Sequence, residues 1–355
     1  MKGLILSGGK GTRLRPLTYT RAKQLVPVAN KPVLFYGIEA LVAAGIRDIG
    51  IVVGDTKGEI QAAVGDGSAS GASVTYIEQD APRGLAHAVL ISEAFLSGEP
   101  FVMYLGDNLL ARGITPFVEE FVEHAPAAQI LLARVPDPQR FGVAELSGGK
   151  VIGLVEKPEQ PKSDLALVGV YLFGPDVFDS VKRIKPSSRD ELEITDAIQD
   201  LIDRGLVVRP HIVDGWWKDT GKLEDLLEAN RLILEMFDRR IEGNVDATSS
   251  IEGKVVVEPA AVIQGSVIRG PAIIGANTRI EQAYVGPFTS IMNDVHIRGS
   301  EIEHCIVLEG SAITDLANRV VDSLIGKNVR IYRQPVKPSA YRFVLGDNSE
   351  VGIPW

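Results

Sequence analysis

The N-terminal segment combines a glycine-rich turn with an excess of positive charge, which suits a small, highly charged anion. The first 38 residues contain seven Lys or Arg residues and no acidic residue, although the 355-residue chain has a formal net charge of −9. The apolar segment Leu4–Leu6 leads into a turn whose glycines Gly8, Gly9 and Gly11 let backbone N–H groups approach a phosphate. This pattern predicts a nucleoside triphosphate as the ligand.

Arg13 and Lys23 are the candidate cations for such a ligand. Arg13 offers a planar fork to phosphate oxygens, and Lys23 offers a point charge. The turn is not a Walker A motif, because the spacing G-x-x-x-x-G-K-[ST] is absent from it. Leu14 occupies the place of the third glycine in the dinucleotide-binding fingerprint, so that motif is also a poor match.

Two carboxylates follow predicted strands further along the chain. Asp107 comes after the apolar segment Phe101–Leu105, and Asp219 comes after Trp216-Trp217-Lys218. Carboxylates that converge from separate strand ends can hold Mg²⁺ and leave coordination positions for phosphate oxygens. For either aspartate alone, a turn or helix-capping role remains open.

A third group of charged residues contains Glu156, Lys157 and Arg189. Such a cluster could carry part of the chemistry. The alternative is a run of charges that is simply solvated, which is the usual role of such clusters.

The elements that must position these residues alternate between strands and helices before residue 240, which predicts an α/β domain with a mainly parallel sheet. The predicted strands are Leu4–Leu6, Ile49–Val53, Val74–Ile77, Phe101–Leu105, Ile130–Val135, Val143–Leu146, Val151–Val155, Leu167–Phe173 and Val207–Val213. The predicted helices are Val33–Ala44, Ile60–Val64, Leu85–Leu96, Phe117–His124, Glu193–Arg204 and Leu223–Phe237.

After residue 245 the pattern becomes an imperfect hexapeptide repeat, which is typical of a parallel β-helix. The apolar positions are Val262, Ile268, Ile274, Ile280, Ile291, Ile297 and Leu308, with the period shortened by one at Val285 and Ile302. We therefore predict two domains, a catalytic domain at residues 1–240 and a hexapeptide-repeat domain with a C-terminal tail at 241–355. The tail from Gln334 lacks the repeat, and we expect it to pack on other structure.

Bulk composition excludes several classes of protein. The single cysteine, Cys305, precludes an intramolecular disulfide, and no apolar run approaches the length of a membrane span. The acidic balance argues against nucleic acid as a partner. The sequence begins without the long apolar region of a signal peptide, so we expect a cytoplasmic protein without a membrane partner.

Nine ordered motifs in residues 1–240 resemble those of the sugar-1-phosphate nucleotidylyltransferases. They are Gly8–Pro16, Lys23–Pro27, Lys31–Pro32, Gln79 with Pro82–Ala86, Gly106–Asn108, Phe141–Val143, Glu156–Pro158, Glu191–Thr195 and Asp219–Gly221. The resemblance implies a Rossmann-like catalytic fold, and the repeat makes the chain look like a long form with a left-handed parallel β-helix. His87 departs from the short form, which often has Gln there.

The resemblance also implies a role for each matching residue. Nucleotide binding falls to Leu6, Gly8, Gly9, Gly11, Thr12, Arg13, Lys23, Gln79, Pro82, Gly84 and Asp107. Sugar-phosphate binding falls to Gly142, Glu156, Lys157, Val168, Arg189 and Trp217. The cations Arg13, Lys23, Lys157 and Arg189 would be catalytic, and Asp107 and Asp219 would hold Mg²⁺ as the cofactor.

The implied reaction transfers a thymidylyl group from dTTP to glucose 1-phosphate and releases pyrophosphate. UTP remains open as the nucleotide, because it differs from dTTP at the base by one methyl group. Two other possibilities are a bifunctional enzyme, with His296 or His304 as the base of an acyl transfer, and a non-catalytic nucleotide-sugar sensor. We expect a homo-oligomer.

One tripeptide could mislead a search for metal ligands. Gly346-Asp347-Asn348 in the tail repeats Gly106-Asp107-Asn108. Asp347 lies beyond the repeats and is followed by Ser349 and Glu350, so we expect a turn or surface role for it.

Overall fold

The computed structural model describes residues 1–9 and 11–334, and it divides into two compact units. The first unit contains residues 1–9, 21–25 and 33–219, and the second contains residues 11–20, 26–32 and 220–334. Lys10 and residues 335–355, which include Asp347, lie outside the described residues.

Strands and helices alternate along the first two thirds of the chain. The strands are β1 (Lys2–Ser7), β2 (Pro27–Val28), β3 (Lys31–Pro32), β4 (Asp48–Val53), β5 (Ser73–Glu78), β6 (Phe101–Leu105), β7 (Asn108–Leu110), β8 (Ala128–Arg134), β9 (Gly142–Ser147), β10 (Lys150–Glu156), β11 (Leu165–Phe173), β12 (Val208–Ile212) and β13 (Trp217–Asp219). The helices are α1 (Val33–Ala43), α2 (Lys57–Val64), α3 (Leu85–Ile91), α4 (Glu93–Leu96), α5 (Thr115–His124), α6 (Val177–Arg183), α7 (Ile194–Asp203) and α8 (Leu223–Glu235).

The first unit is built on the mixed, mainly parallel α/β sheet that the sequence predicts. Its strand order is β10-β9-β11-β6-β1-β4-β5, with β8 beside β11 and β12 beside β8. Strands β6, β1, β4 and β5 are parallel neighbours, so their carboxyl ends meet at one edge of the sheet. Strand β11 runs antiparallel to β6, β8 and β9.

Helices cover both faces of this sheet, which explains the continuous apolar runs in its central strands. Every residue of β11 is buried. One core cluster contains residues of α3, α6 and α7, and the other contains residues of α1, α2 and α5. Helix α7 illustrates the pattern, because its buried Ile194, Ala197, Ile198 and Leu201 have the spacing of one helix face.

The structure divides one predicted helix and contains several short elements that were not predicted. The helix predicted at Leu85–Leu96 is interrupted at Ser92, whose Oγ donates to the Ala88 carbonyl at 2.7 Å. Such a bond competes with the helical hydrogen bonds and bends the chain. Helix α6 and the short strands β7 and β13 were not predicted, because three to seven residues carry too little periodic signal.

The second unit continues as a stack of short parallel strands that is typical of a β-helix. They are β14 (Arg240–Ile241), β15 (Asn244–Val245), β16 (Ser250–Glu252), β17 (Val255–Val257), β18 (Val262–Gln264), β19 (Val267–Arg269), β20 (Ala272–Ile274), β21 (Arg279–Glu281), β22 (Tyr284–Val285), β23 (Thr289–Ile291), β24 (His296–Arg298), β25 (Glu301–Glu303), β26 (Ile306–Val307), β27 (Ala312–Thr314), β28 (Val320–Val321), β29 (Leu324–Ile325) and β30 (Arg330–Tyr332). They form three sheets of six, six and five strands.

The register of these sheets corrects two positions of the predicted repeat. Ile263, Ile280 and Ile297 stack in one fully buried column, whereas Val262 is half-buried. Val307, rather than Leu308, pairs with Ile291 and continues another column. Ile263, Ile280 and Ile297 occupy equivalent places in successive turns of the β-helix, which are 17 residues apart. Each such turn contains two repeats of six residues and one of five, which explains the shortened period at Val285 and Ile302.

The helices of residues 1–9 and 11–334 do not include one with the length and apolar character needed to cross a membrane.

The stacked columns predict which apolar residues of the repeat stabilise the β-helix. Ile280→Ala should lower the free energy of unfolding by about 2–5 kcal/mol, because it leaves a cavity in a buried column. Val262→Ala should lower it by less than about 1 kcal/mol, since Val262 is only half-buried. Urea unfolding followed by circular dichroism would measure both, and equal losses would contradict the corrected register.

Candidate active site

A cavity of about 220 Å³ lies at the carboxyl ends of the parallel strands of the first unit. It is bordered by the residues that follow β1, β5 and β6, and by the start of α3. The lining residues are Leu6, Gly8, Gly9, Lys23, Gln24, Val52, Gln79, Pro82, Gly84, Leu85, Ala88, Leu105, Asp107 and Glu191. Eight of the eleven predicted nucleotide-binding residues are among them, and these eight come from four separate segments.

The cavity lining includes an amide whose orientation is constrained, that of Gln79. Gln79 Nε2 donates to the Gly84 carbonyl at 3.3 Å and lies 3.0 Å from His87 Nδ1. Because an amide nitrogen only donates, Nδ1 must accept and the His87 proton resides on Nε2. Burial, followed by the Arg83 charge, lowers the pKa of His87, which favours this neutral form.

Gly84 occupies a position that admits no side chain. Its φ is +98°, and a Cβ there would lie 2.3 Å from the Leu192 carbonyl oxygen. The close approach allows two backbone hydrogen bonds on either side of Gly84, from Ala86 N to the Leu192 oxygen and from Leu192 N to the Arg83 oxygen. The turn before α3 is therefore fixed against the segment that carries Glu191.

Asp107, which also lines the cavity, joins a buried network. The Lys23 ammonium contacts Asp107 Oδ2, and the two side chains are 17% and 13% exposed. Asn108 Nδ2 donates to Asp107 Oδ1 at 3.0 Å, and Trp217 Nε1 donates to Asn108 Oδ1 at 2.6 Å. Gly169 makes room for this arrangement, since a Cβ there would lie 2.6 Å from Asn108 Oδ1.

The environment of Asp107 keeps it ionised. Burial by itself raises the pKa of this carboxyl group. The Lys23 charge and the hydrogen bonds from Lys23 and Asn108 outweigh burial, so the pKa lies below its usual value. The carboxylate is thus held as an anion beside the cavity.

Strands β7 and β13 bring the second predicted metal ligand next to the first. They pair antiparallel, and Asp219 lies opposite Asn108, the residue that follows Asp107 in the chain. Within the described parts of the chain, no group of three or more His, Cys, Asp or Glu side chains is arranged to hold a metal ion. Two neighbouring carboxylates nevertheless suit Mg²⁺, which commonly takes one or two carboxylates together with phosphate oxygens and water.

The predicted sugar-phosphate residues form a second cluster. Glu156 Oε1 lies 3.2 Å from Arg189 Nη2 and 3.3 Å from Lys157 Nζ. Its Oε2 is 3.5 Å from the Thr195 hydroxyl group. Gly142 borders this carboxylate, because a Cβ there would lie 3.2 Å from Glu156 Oε2 and 2.7 Å from the Thr195 methyl carbon.

Arg189 is anchored by a carboxylate that the sequence analysis overlooked. Glu193 is 4% exposed and accepts from Arg189 Nη2 at 2.8 Å and Nε at 3.2 Å. Burial lowers the pKa of Arg189, but the Glu193 hydrogen bonds and the charges of Glu193, Glu156 and Glu191 together raise it above its usual value. The signal was present in the motif Glu191–Thr195, where the second glutamate precedes α7.

Aromatic contacts connect the two clusters. The Trp217 ring, whose nitrogen donates to Asn108, meets the Phe141 ring edge-on at 5.2 Å between centroids. Phe141 precedes Gly142, which borders Glu156. Glu191 lines the cavity and lies 3.8 Å from Arg189. The carboxylate of Asp107 and the cations beside Glu156 are thus linked through packed side chains.

Four predicted site residues are placed differently. Val168 is fully buried in the core cluster with α1 and α5, so its side chain has no surface for a ligand. The contact to the sugar that the family resemblance implies for Val168 stays a prediction. Gly11, Thr12 and Arg13 belong to the second unit, where Thr18 Oγ1 donates to the Gly11 carbonyl at 2.7 Å.

The chain is similar to proteins of known activity along its whole length. It is 56% identical to a glucose-1-phosphate thymidylyltransferase of Streptomyces antibioticus, with 99% of each chain covered. It is 46% identical to a low-salt glycan biosynthesis nucleotidyltransferase, Agl11, of Haloferax volcanii, over 99% of this chain and 100% of that protein.

Two solved structures are similar to about two thirds of the chain. A glucose-1-phosphate thymidylyltransferase structure from Bacillus anthracis, in complex with sucrose, matches with a TM-score of 0.62 and 41% identity, over 65% of this chain and 94% of that one. A UDP-glucose pyrophosphorylase bound to UDP-glucose matches with a TM-score of 0.59 and 26% identity, over 66% and 98%. The nucleotidyl transferase family matches residues 2–236, and the chain is a member of that family.

Proposed function

We propose that the protein is a glucose-1-phosphate thymidylyltransferase that forms dTDP-glucose and pyrophosphate from dTTP and glucose 1-phosphate. The observation that carries the proposal is full-length similarity to proteins of that activity, at 56% identity, together with a cavity lined by the predicted nucleotide residues. The proposal includes action in the cytoplasm and a homo-oligomeric state, and it assigns catalysis to residues 1–240.

On the nucleotide side, we assign the base to the end of the cavity that holds Gln79. A thymine or uracil ring has an N–H group between two carbonyl groups, and this N–H can donate to the amide oxygen of Gln79. His87 supports recognition by accepting from the Gln79 nitrogen, which leaves Gln79 Oε1 to face Gly8. The triphosphate is assigned to Lys23 and, on the family resemblance alone, to Arg13.

On the sugar side, we assign the phosphate to Lys157 and Arg189 and the sugar hydroxyl groups to Glu156. Lys157 and Arg189 are only partly buried, at 46% and 37% side-chain exposure, so an anion can reach both. Glu193 fixes the direction of the Arg189 guanidinium before substrate arrives. Trp217 forms a wall between this cluster and Asp107 through its contacts to Phe141 and Asn108.

Magnesium would be held by Asp107 and Asp219, with the substrate phosphates completing its coordination. The ion would neutralise phosphate charge that the side chains leave uncompensated. Asp107 already bonds to Lys23 and Asn108, so its carboxylate is oriented and ionised before the ion binds. The paired strands β7 and β13 keep Asp219 beside it.

The chain's own residues bring two anions together and align them. A phosphate oxygen of glucose 1-phosphate attacks the α-phosphorus of dTTP, the bond to the β-phosphate breaks, and pyrophosphate leaves. Lys23 and Lys157 reduce the repulsion between the reactants, which lets the two groups approach in line. The sugar phosphate is already ionised near neutral pH, so the reaction needs no protein base.

The function is tested by pyrophosphate release with dTTP or UTP and a panel of sugar 1-phosphates, in the presence of Mg²⁺. We expect the highest kcat/KM with dTTP and glucose 1-phosphate. The methyl group of thymine distinguishes the nucleotides by about 1–3 kcal/mol, so UTP should be used about 5- to 150-fold less efficiently. A higher kcat/KM with UTP would overturn the nucleotide assignment, and no release with any pair would overturn the function.

The carboxylate pair generates a prediction about turnover. Asp107→Asn and Asp219→Asn should each lower kcat by at least about 100-fold, because each removes a carboxylate that would hold the Mg²⁺ ion that neutralises the phosphate charge. Steady-state pyrophosphate release at saturating Mg²⁺ would measure this, with circular dichroism as the check on folding. Near wild-type turnover in a folded variant would refute the metal assignment.

The two anion sites should respond separately to loss of their cations. Lys157→Ala and Arg189→Ala should weaken glucose 1-phosphate binding by at least about tenfold and change nucleotide binding less, whereas Arg13→Ala should do the reverse. Isothermal titration with each substrate distinguishes the sites. Melting temperatures control for a loss of stability in Arg189→Ala, because that substitution removes the ion-pair partner of Glu193. Equal losses of both ligands in all three variants would show that the division of the site is wrong.

A further inference from the structure

A two-residue hairpin in the second unit has a conformation that its own sequence does not favour. Strands β2 and β3 pair antiparallel, and the turn between them places Ala29 at φ +47° and Asn30 at φ +63°. Both values are left-handed, as in a type I′ turn, which normally selects Asn and Gly. Asn30 tolerates this conformation, but alanine has a Cβ that disfavours it.

The hairpin ladder is too short to impose this turn. It contains two residue pairs, Val28 with Lys31 and Pro27 with Pro32. The outer pair consists of prolines, which have no N–H group to donate across the ladder. Other contacts must therefore hold Ala29 in place.

Asn230 supplies one such contact from helix α8. It is fully buried, and its Oδ1 accepts from the Ala29 N–H at 2.8 Å and from the Ser290 hydroxyl at 2.6 Å. Its Nδ2 donates to the Phe288 carbonyl at 2.9 Å. One buried amide thus joins the hairpin turn to the β-helix, at the start of β23.

A second contact comes from the turn itself. Asn30 Nδ2 donates to the Ile291 carbonyl at 2.7 Å, at the end of β23. Further along the β-helix, Leu17 approaches Gly326. A Cβ atom added to Gly326 would lie 3.5 Å from the Cδ2 atom of Leu17. Segments 11–20 and 26–32 therefore both contact the β-helix, and both group with it rather than with the central sheet.

These two segments flank Lys23 along the chain. Segment 11–20 contains Arg13, and only Gln24, Leu25 and Val26 separate Lys23 from the hairpin. We propose that the β-helix positions the triphosphate-binding cations, and that Asn230 is a positioning residue that acts on Lys23 through the hairpin. This inference rests on the proposed function for its catalytic consequence, but not for the structural coupling itself.

Hydrogen exchange in the full-length protein tests the coupling without any assay of activity. In Asn230→Ala, exchange in residues 22–32 should become at least about fivefold faster, because the Ala29 N–H loses its acceptor and the turn loses its support. Leu227→Ala is the matched control, since Leu227 is buried in the same helix but its apolar side chain cannot accept a hydrogen bond from the turn. It should lower the melting temperature without this local acceleration.

A second substitution separates positioning from general stability. Ala29→Gly removes the Cβ that disfavours a positive φ, so the double variant Ala29→Gly/Asn230→Ala should recover part of the lost protection and activity. We expect Asn230→Ala to raise KM for dTTP by at least about fivefold and Leu227→Ala to leave it unchanged.

The outcomes distinguish this inference from the proposed function. Unchanged exchange in residues 22–32, equal effects of Asn230→Ala and Leu227→Ala, or no recovery in the double variant would each overturn the coupling. Local acceleration with recovery, in a protein whose wild type releases no pyrophosphate, would support the coupling and overturn the proposed function instead.

Discussion

Charge repulsion between two phosphorylated substrates is the constraint around which the candidate site is organised. The buried contact between Lys23 and Asp107 places opposite charges side by side at the cavity wall. The carboxylate orients Lys23, and the ammonium keeps Asp107 ionised. The same arrangement recurs at the second cluster, where Glu193 orients Arg189. Each predicted phosphate-binding cation of the first unit thus has an acidic neighbour that fixes it, because a cation without one would sample many conformations before substrate arrives.

The strands and helices of the first unit could be predicted because periodicity and composition agree there. Strand β6 has the predicted bounds, and α1 differs from the prediction by one residue at its end. Around the cavity, Gly8, Gly9 and Asp107 were predicted from the turn and the sheet edge, whereas Leu6, Gln79, Pro82 and Gly84 followed only from the family resemblance. The sequence could not reveal the pairing of β7 with β13, since three-residue strands carry little pattern and the partners are more than 100 residues apart.

Other features depended on three-dimensional packing that no local pattern records. Val168 matches a family position, and its complete burial within β11 could be seen only in the folded chain. Glu193 lies within a quoted motif, but its role follows only from burial beside Arg189. The hexapeptide spacing predicted the β-helix, whereas the choice between Val262 and Ile263 required the register, because both are apolar and adjacent. Asn230 had no sequence signal, since a single asparagine within a helix is ordinarily solvent-exposed.

The contacts of the β-helix with the N-terminal segments limit how this protein can change in length during evolution. Asn30 meets the turn that contains Ile291, and Leu17 meets the turn that contains Gly326. The stacked residues Ile291, Val307 and Ile325 span this interval in steps of 16 and 18 residues. Inserting a further turn between the two contacts would separate them by one strand spacing, about 4.8 Å, while the segment 11–32 kept its length. Repeat arrays usually gain and lose units freely. Here a segment of fixed length contacts two turns of the β-helix, so the number of turns between those contacts is fixed.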